Sequence, residues 1–251
     1  MSQDGARPND DGQVRLPPHR PVGGPAESAL EALRTFKKGR VRLTGLIQVT
    51  EQGGGWSASG GPAPGTGGFW WGDYQVDEAD AQPFKAYWER LRTARKRRLF
   101  DNAVRRFTYS ADRYRADDRL VDLVIAAETL FLGDAGNPQE RGELRYRFAL
   151  RASFYVESAG ADRRALFRFM RNSYDARSAI VHGGVPEPRL LQSLDGHRLT
   201  LAEYADALED VLRRAVHKAL DTADAAATGS LVDWDELIIG RGADHASSDA
   251  S

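Results

Sequence analysis

The chain has 251 residues, 41% of them hydrophobic, and a formal net charge of −1. That is enough apolar material for one sizeable core with a smaller appendage, and too little positive charge for a uniformly basic nucleic-acid coat protein. There is no cysteine, which excludes disulfides, thiolate metal sites and cysteine nucleophiles. No run of about 18 apolar residues occurs and the N-terminus lacks the apolar stretch of a secretory leader, so the expectation is a soluble, cytoplasmic protein with no membrane partner.

In chain order, residues 1–27 are rich in Pro, Gly, Asp and Arg and read as a disordered tail. Ser28 to Phe36 suits a short helix. Residues 40–49, RVRLTGLIQV, alternate polar and apolar side chains in part, as a strand does. Residues 53–68 form a Gly/Pro/Ser loop, and Phe69 to Val76 look like a returning strand. Residues 28–78 are therefore expected to form a small β-containing region, packed against something larger because two strands alone are marginal in water. Its aromatic side chains Trp56, Phe69, Trp70 and Trp71 suit either a core or a partner surface.

From about Ala79 the pattern is helical, with helices expected near 80–95, 97–110, 117–132, 140–157, 162–182 and 200–222. Asp117 and Asp118 supply the acidic first turn of one helix and Gly133 closes it. Thr200 and Glu203 form a capping box for the last. Residues 79–225 thus read as one helical bundle, and the fold class as mainly α with a small N-terminal hairpin. Residues 226–251 contain a short apolar docking segment, Leu231 to Ile239, and a flexible tail.

Between Arg90 and Arg115 ten basic residues stand against two acidic ones, Asp101 and Asp112. The block suits either phosphates or a solvated helix face, with Arg97, Arg98, Arg105 and Arg106 as candidate RNA contacts. Three charges fall where apolar residues belong. Glu128 lies four residues after Val124 and three after Ile125, inside the apolar stripe of its helix; Arg151 and Arg177 occupy equivalent places in theirs. Unpaired charges are costly to bury, so these three should meet or line a wetted cleft. Either they form a structural pair, Glu128 with Arg151 or Arg177, or one cation is left for a phosphate.

His182 follows Arg177 by five residues, about 140° round a helix, and the glycines at 183 and 184 should end that helix. It is a C-terminal capping residue or a titratable base beside a fixed cation. The glycine loop has no Gly-Lys-Ser/Thr, Ser59 stands where a nucleophile elbow needs glycine, and the five histidines do not cluster, so no P-loop, no hydrolase elbow, no metal site and no cofactor are expected.

Four blocks in order carry a family resemblance: AVRRF at 103–107, DDRLVDLVIAAETLF at 117–131, LRYRFALRA at 144–152 and YDARSAIVHG at 174–183. Over about residues 97–222 they resemble the HEPN superfamily, specifically its ApeA-like branch, and Ser28 to Val49 is similar to the region preceding the domain there. The resemblance implies an antiparallel helical bundle that usually dimerises. It implies that Arg177 and His182 match the family's Arg-x4–6-His motif at the cleft between two subunits, with Ser178 as the polar residue that often follows the arginine. Many such proteins are metal-independent endoribonucleases acting as toxins, antiviral effectors or RNA-processing enzymes. Implied partners are RNA, a second copy of the chain, and an antitoxin or defence-system protein. Some relatives carry a tyrosine two residues after the histidine as a control site; Gly184 stands there, so that control does not carry over. The implied chemistry is attack of the RNA 2′-hydroxyl on the adjacent phosphorus, His182 moving protons, Arg177 stabilising phosphorane oxygens, and Glu128 orienting Arg177. The alternative is a non-catalytic module of the same fold that binds RNA, nucleotide or protein.

Overall fold

The computed structural model describes residues 25–42, 45–52, 55–62, 74–95, 97–133, 143–157, 160–221 and 232–240. Residues 1–24 of the tail expected at 1–27, residues 241–251 of the C-terminal tail, and the aromatics Phe69, Trp70 and Trp71 lie outside them; Pro25, Ala26 and Glu27, expected in the tail, instead begin a helix whose first turn gains the acidic Glu27. Among the described residues the chain is mainly helical: α1 (Pro25–Phe36), β1 (Gly45–Gln52), β2 (Gly55–Pro62), a 3-10 turn (Glu78–Asp80), α2 (Ala81–Ala94), α3 (Arg98–Ser110), α4 (Ala116–Leu132), α5 (Leu144–Val156), α6 (Gly160–Val181), α7 (Leu201–Asp221) and α8 (Trp234–Ile239).

The bundle is built around α4, which packs against α3, α5, α6 and α7. Its sequence explains the position. Leu120, Leu123, Val124, Ala126, Ala127 and Phe131 are all buried, so apolar side chains point to most sides of the helix. Arg115 braces the start of α4 by donating to Asp117, and Gly133 follows its last residue. The capping box expected for α7 is present: the Thr200 amide donates to Glu203 Oε2 at 2.8 Å, and the Glu203 amide to Thr200 Oγ1 at 3.3 Å.

Buried arginines tie the outer helices to this centre. Arg34 of α1 is 3% exposed and donates to both carboxylate oxygens of Asp112, at 2.9 and 2.6 Å, and to the Thr108 carbonyl at 3.0 Å. Arg119 of α4 pairs with Asp206 and Glu209 of α7, and Arg213 shares Glu209 and adds Asp210. Each guanidinium is buried with its charge met, the condition under which burial is tolerated. A ring nitrogen of His217 lies 3.0 Å from the Thr35 and Phe36 carbonyls, where α1 runs out of intrahelical partners.

The hairpin departs from the sequence reading. A return strand is expected at 69–76, after a long glycine loop; residues 69–73 of it lie outside the described residues, and 74–76 are not strand. Instead β2 lies inside that loop, paired antiparallel with β1 in a register from Gly45↔Pro62 to Gln52↔Gly55. Two residues separate the strands and both are glycines, the residue type tight hairpins favour. Ile47 and Val49 stand exposed on β1. The roots of the excursion are pinned together: Lys37 pairs with Asp80 at 2.6 Å, the Tyr74 hydroxyl donates to the Leu33 carbonyl at 2.7 Å, and Tyr74 lies against Gly39.

The expected docking segment near the C-terminus is a helical turn. Asp233 caps α8 by accepting from the Glu236 amide at 2.9 Å, and Trp234 is buried edge-on against Phe131 and Tyr155. No helix among the described residues is long and apolar enough to cross a membrane.

Candidate functional site

The end of α6 is set by its glycines. The His182 amide donates to the Ser178 carbonyl at 3.1 Å, Gly183 to Ile180 at 2.9 Å, and Gly184 back to Ala179 at 2.9 Å. Gly183 has φ +79°. This is the Schellman closure, and it needs a residue that adopts left-handed backbone without a penalty. A Cβ at Gly183 would touch nothing, so the demand for glycine there comes from backbone conformation alone. His182 is thereby left as the C-terminal capping residue with its side chain open to solvent, and among the described residues its imidazole has no hydrogen-bond partner.

Arg177, one turn earlier, faces the other way, onto α4. Its Nη2 lies 3.6 Å from Glu128 Oε2, and the two side chains are 27% and 24% exposed. At that separation the contact is an ion pair without a hydrogen bond. The Arg177 Nε–H is buried and makes no hydrogen bond. Burial raises the Glu128 carboxyl above the ordinary glutamate range, and the nearby Arg177 offsets this only in part. The pair is therefore loosely satisfied on both sides: a carboxylate short of donors and a guanidinium short of acceptors. A phosphate oxygen is the kind of acceptor that a guanidinium in this state would take.

Glu128 and Arg177 are brought together as the apolar-stripe argument expected. Arg151 is put to another use. Its Nη1 donates to the Phe131 carbonyl at 2.9 Å, and its guanidinium stacks 4.8 Å from the Trp234 ring. Phe131 is in the last turn of α4, where carbonyls lack intrahelical donors, so Arg151 closes α4 and seats α8. Ser178 is half-buried beside Arg177 in sequence, and its carbonyl receives the His182 amide.

The basic block between 90 and 115 is largely neutralised. Arg90 pairs with Asp221, Arg95 with Glu31 and Asp101, Arg106 and Arg113 with the buried Asp122, and Arg115 with Asp117. Of the four candidate RNA contacts, Arg106 is held by that carboxylate at 3.2 Å and Arg105 lies over Tyr109, to whose hydroxyl it donates. Arg97 occupies the N-cap position of α3 without a side-chain capping bond, and Arg98 is exposed in the first turn. Most of the acids that quench the block come from outside it, which is why its linear composition overstates its field.

A second arginine cluster escaped the sequence reading. Arg163, Arg164, Arg168 and Arg171 lie on α6 ahead of Arg177, and the signal was their spacing of one, four and three residues, which keeps them on one side of a helix. Among the described residues no group of three His, Asp or Glu side chains could hold a metal ion. No family model matches the chain, and no curated protein or solved structure matches it either.

Proposed function

We propose that this chain is a HEPN-type endoribonuclease of the ApeA-like branch, cutting RNA without a metal as a cytoplasmic homodimer. Its role would be in defence, stress or toxicity, with an antitoxin or defence-system protein as its restraint. The observation that carries the reading is the state of Arg177: a part-exposed guanidinium, loosely paired at 3.6 Å, with a buried Nε–H lacking any acceptor, in the last turns of the helix that ends on His182.

The chemistry follows from the two side chains. A neutral imidazole accepts the 2′-hydroxyl proton as that oxygen bonds to phosphorus. The bond from phosphorus to the 5′-oxygen then breaks, and an imidazolium protonates the departing oxygen, leaving a 2′,3′-cyclic phosphate. Arg177 stabilises the charge on the non-bridging oxygens, where donors aimed at developing charge contribute most. Glu128 positions Arg177 from behind. One chain offers a single histidine here, about 140° round the helix from Arg177. A second copy would bring the other imidazole, one serving as base and the other as acid.

The test is incubation of purified protein with single-stranded RNA in EDTA. Expected are fragments with 2′,3′-cyclic phosphate ends, untouched DNA, and a rate at least about a hundredfold lower in His182→Ala. The solvent-open, unpartnered imidazole of His182 favours one other reading, a module of this fold that binds RNA without turnover. RNA left intact across a broad panel would select it.

A further inference from the structure

A surface groove of about 530 Å³ runs between α5 and α6. Its apolar floor is Leu150, Phe154 and Phe167, and its rim carries Tyr146, Arg164 and Arg168. Tyr146 is 57% exposed, with its ring edge-on to Phe167 at a centroid distance of 5.4 Å, so one aromatic face is held rigid yet open. Arg163 stacks on Phe154 at 4.5 Å and Arg171 on Phe167 at 5.9 Å. Arg164 and Arg168 are exposed and make no ion pair among the described residues. The acid nearest in sequence on the distal side, Asp175, is taken by Arg145 at 2.8 Å. The groove therefore presents net positive charge over fixed π-faces, in contrast to the quenched block at 90–115.

Its direction is set by the helix. From Arg164 through Phe167, Arg171 and Ser178 to His182 the steps are three, four, seven and four residues, so these side chains follow one stripe. Over the 18 residues from Arg164 to His182 an α-helix makes about five turns and rises about 27 Å. We propose that this groove is the seat of a single-stranded RNA, bases stacked on Tyr146 and Phe167 and phosphates on Arg164 and Arg168, with the strand continuing along α6 to His182. Exposed aromatics interleaved with unpaired arginines are the combination by which single strands are held without sequence preference, and a polyanion is the partner that the charge complements. The path to His182 rests on the nuclease reading; the groove as a binding seat does not.

The test is equilibrium binding of a fluorescein-labelled oligouridylate to the full chain carrying His182→Ala, which prevents cleavage during the measurement. Tyr146→Ala should weaken binding by about fivefold to a hundredfold, the range for one lost base stack. Arg164→Ala with Arg168→Ala should reduce the slope of log K against log salt by about 1.4, two single-strand phosphate contacts. All three positions are solvent-exposed, and circular dichroism melts should overlay the parent. Unchanged affinity and slope in both variants would overturn the proposal. So would sedimentation showing that the substitutions split a dimer while leaving RNA affinity intact, which would make the groove a face between copies. Binding that follows the predicted losses, in a chain whose wild type leaves RNA uncut, would uphold the groove and remove the nuclease.

Discussion

Arg177→Ala separates structural from chemical roles at the candidate site. At 3.6 Å and an effective dielectric constant near 20, the attraction of Arg177 for Glu128 is about 4 to 5 kcal/mol. The raised Glu128 carboxyl shows that desolvation already outweighs this attraction, so little of it survives as net stability. When the arginine is removed, Glu128 can take up a proton instead of remaining a buried lone charge. The expected loss is therefore about 1 to 2 kcal/mol, much of it packing of the arginine stem. For a chain of this size that is a fall in Tm of about 2 to 8 °C. RNA cleavage should fall far more, by about a hundredfold to a thousandfold, because a donor to the developing charge is gone. Thermal melts and single-turnover cleavage on the same preparation give both numbers. Adding Glu128→Gln to Arg177→Ala should recover stability and none of the activity. Activity that tracks the folded fraction, or returns in the double variant, would refute the reasoning and leave Arg177 a purely structural cation.

Three further outcomes follow. Gly183→Ala forces a side-chain-bearing residue into φ +79° and should cost about 1 kcal/mol in denaturant titration; no loss would mean that the turn re-forms in another conformation. Glu128 holds its proton more tightly folded than unfolded, so its favourable contribution is complete below the ordinary glutamate range and fades as pH rises through the elevated value. The stability of the wild type relative to Glu128→Gln should therefore decline as pH rises above the ordinary glutamate range, and a rise would show that pairing with Arg177 dominates instead. Trp234→Ala removes a side chain 7% exposed from its contacts with Phe131, Tyr155 and Arg151 and should cost about 3 kcal/mol. Hydrogen exchange should accelerate in α8 and the last turn of α4, and equal protection in the two proteins would count against α8 as the lock on that end.

The helices were readable because each carries a strong apolar period and an end signal. The expected spans at 97–110, 117–132 and 162–182 differ from α3, α4 and α6 by two residues or fewer at each end. Strand β2 was not readable from alternation, since GWSASGGP has no regular apolar alternation in its sequence; the Gly53–Gly54 pair was the available signal. The encounter of Glu128 with Arg177 was legible because two charges on buried stripes have few places to go. The loss of Arg151 to the Phe131 carbonyl was not, because a helix end competes for donors in three dimensions and leaves no mark in the spacing of either residue. Quenching of the 90–115 block was hidden for the same reason: Glu31, Asp122 and Asp221 approach it from other helices.

The pinned roots of the hairpin excursion give the architecture a modular joint. Lys37 and Leu33 on the outgoing side meet Asp80 and Tyr74 on the returning side, and Lys38 and Arg40 brace against Asp210 and Asp206 of α7, so the hairpin leaves and rejoins the bundle through a braced doorway. That stretch is free to be lengthened, exchanged or recut over evolution while the bundle stays the same. A chain of this design can acquire a new sensing or targeting element without its candidate chemical end being remodelled, and an engineer could graft a reporter at the same doorway.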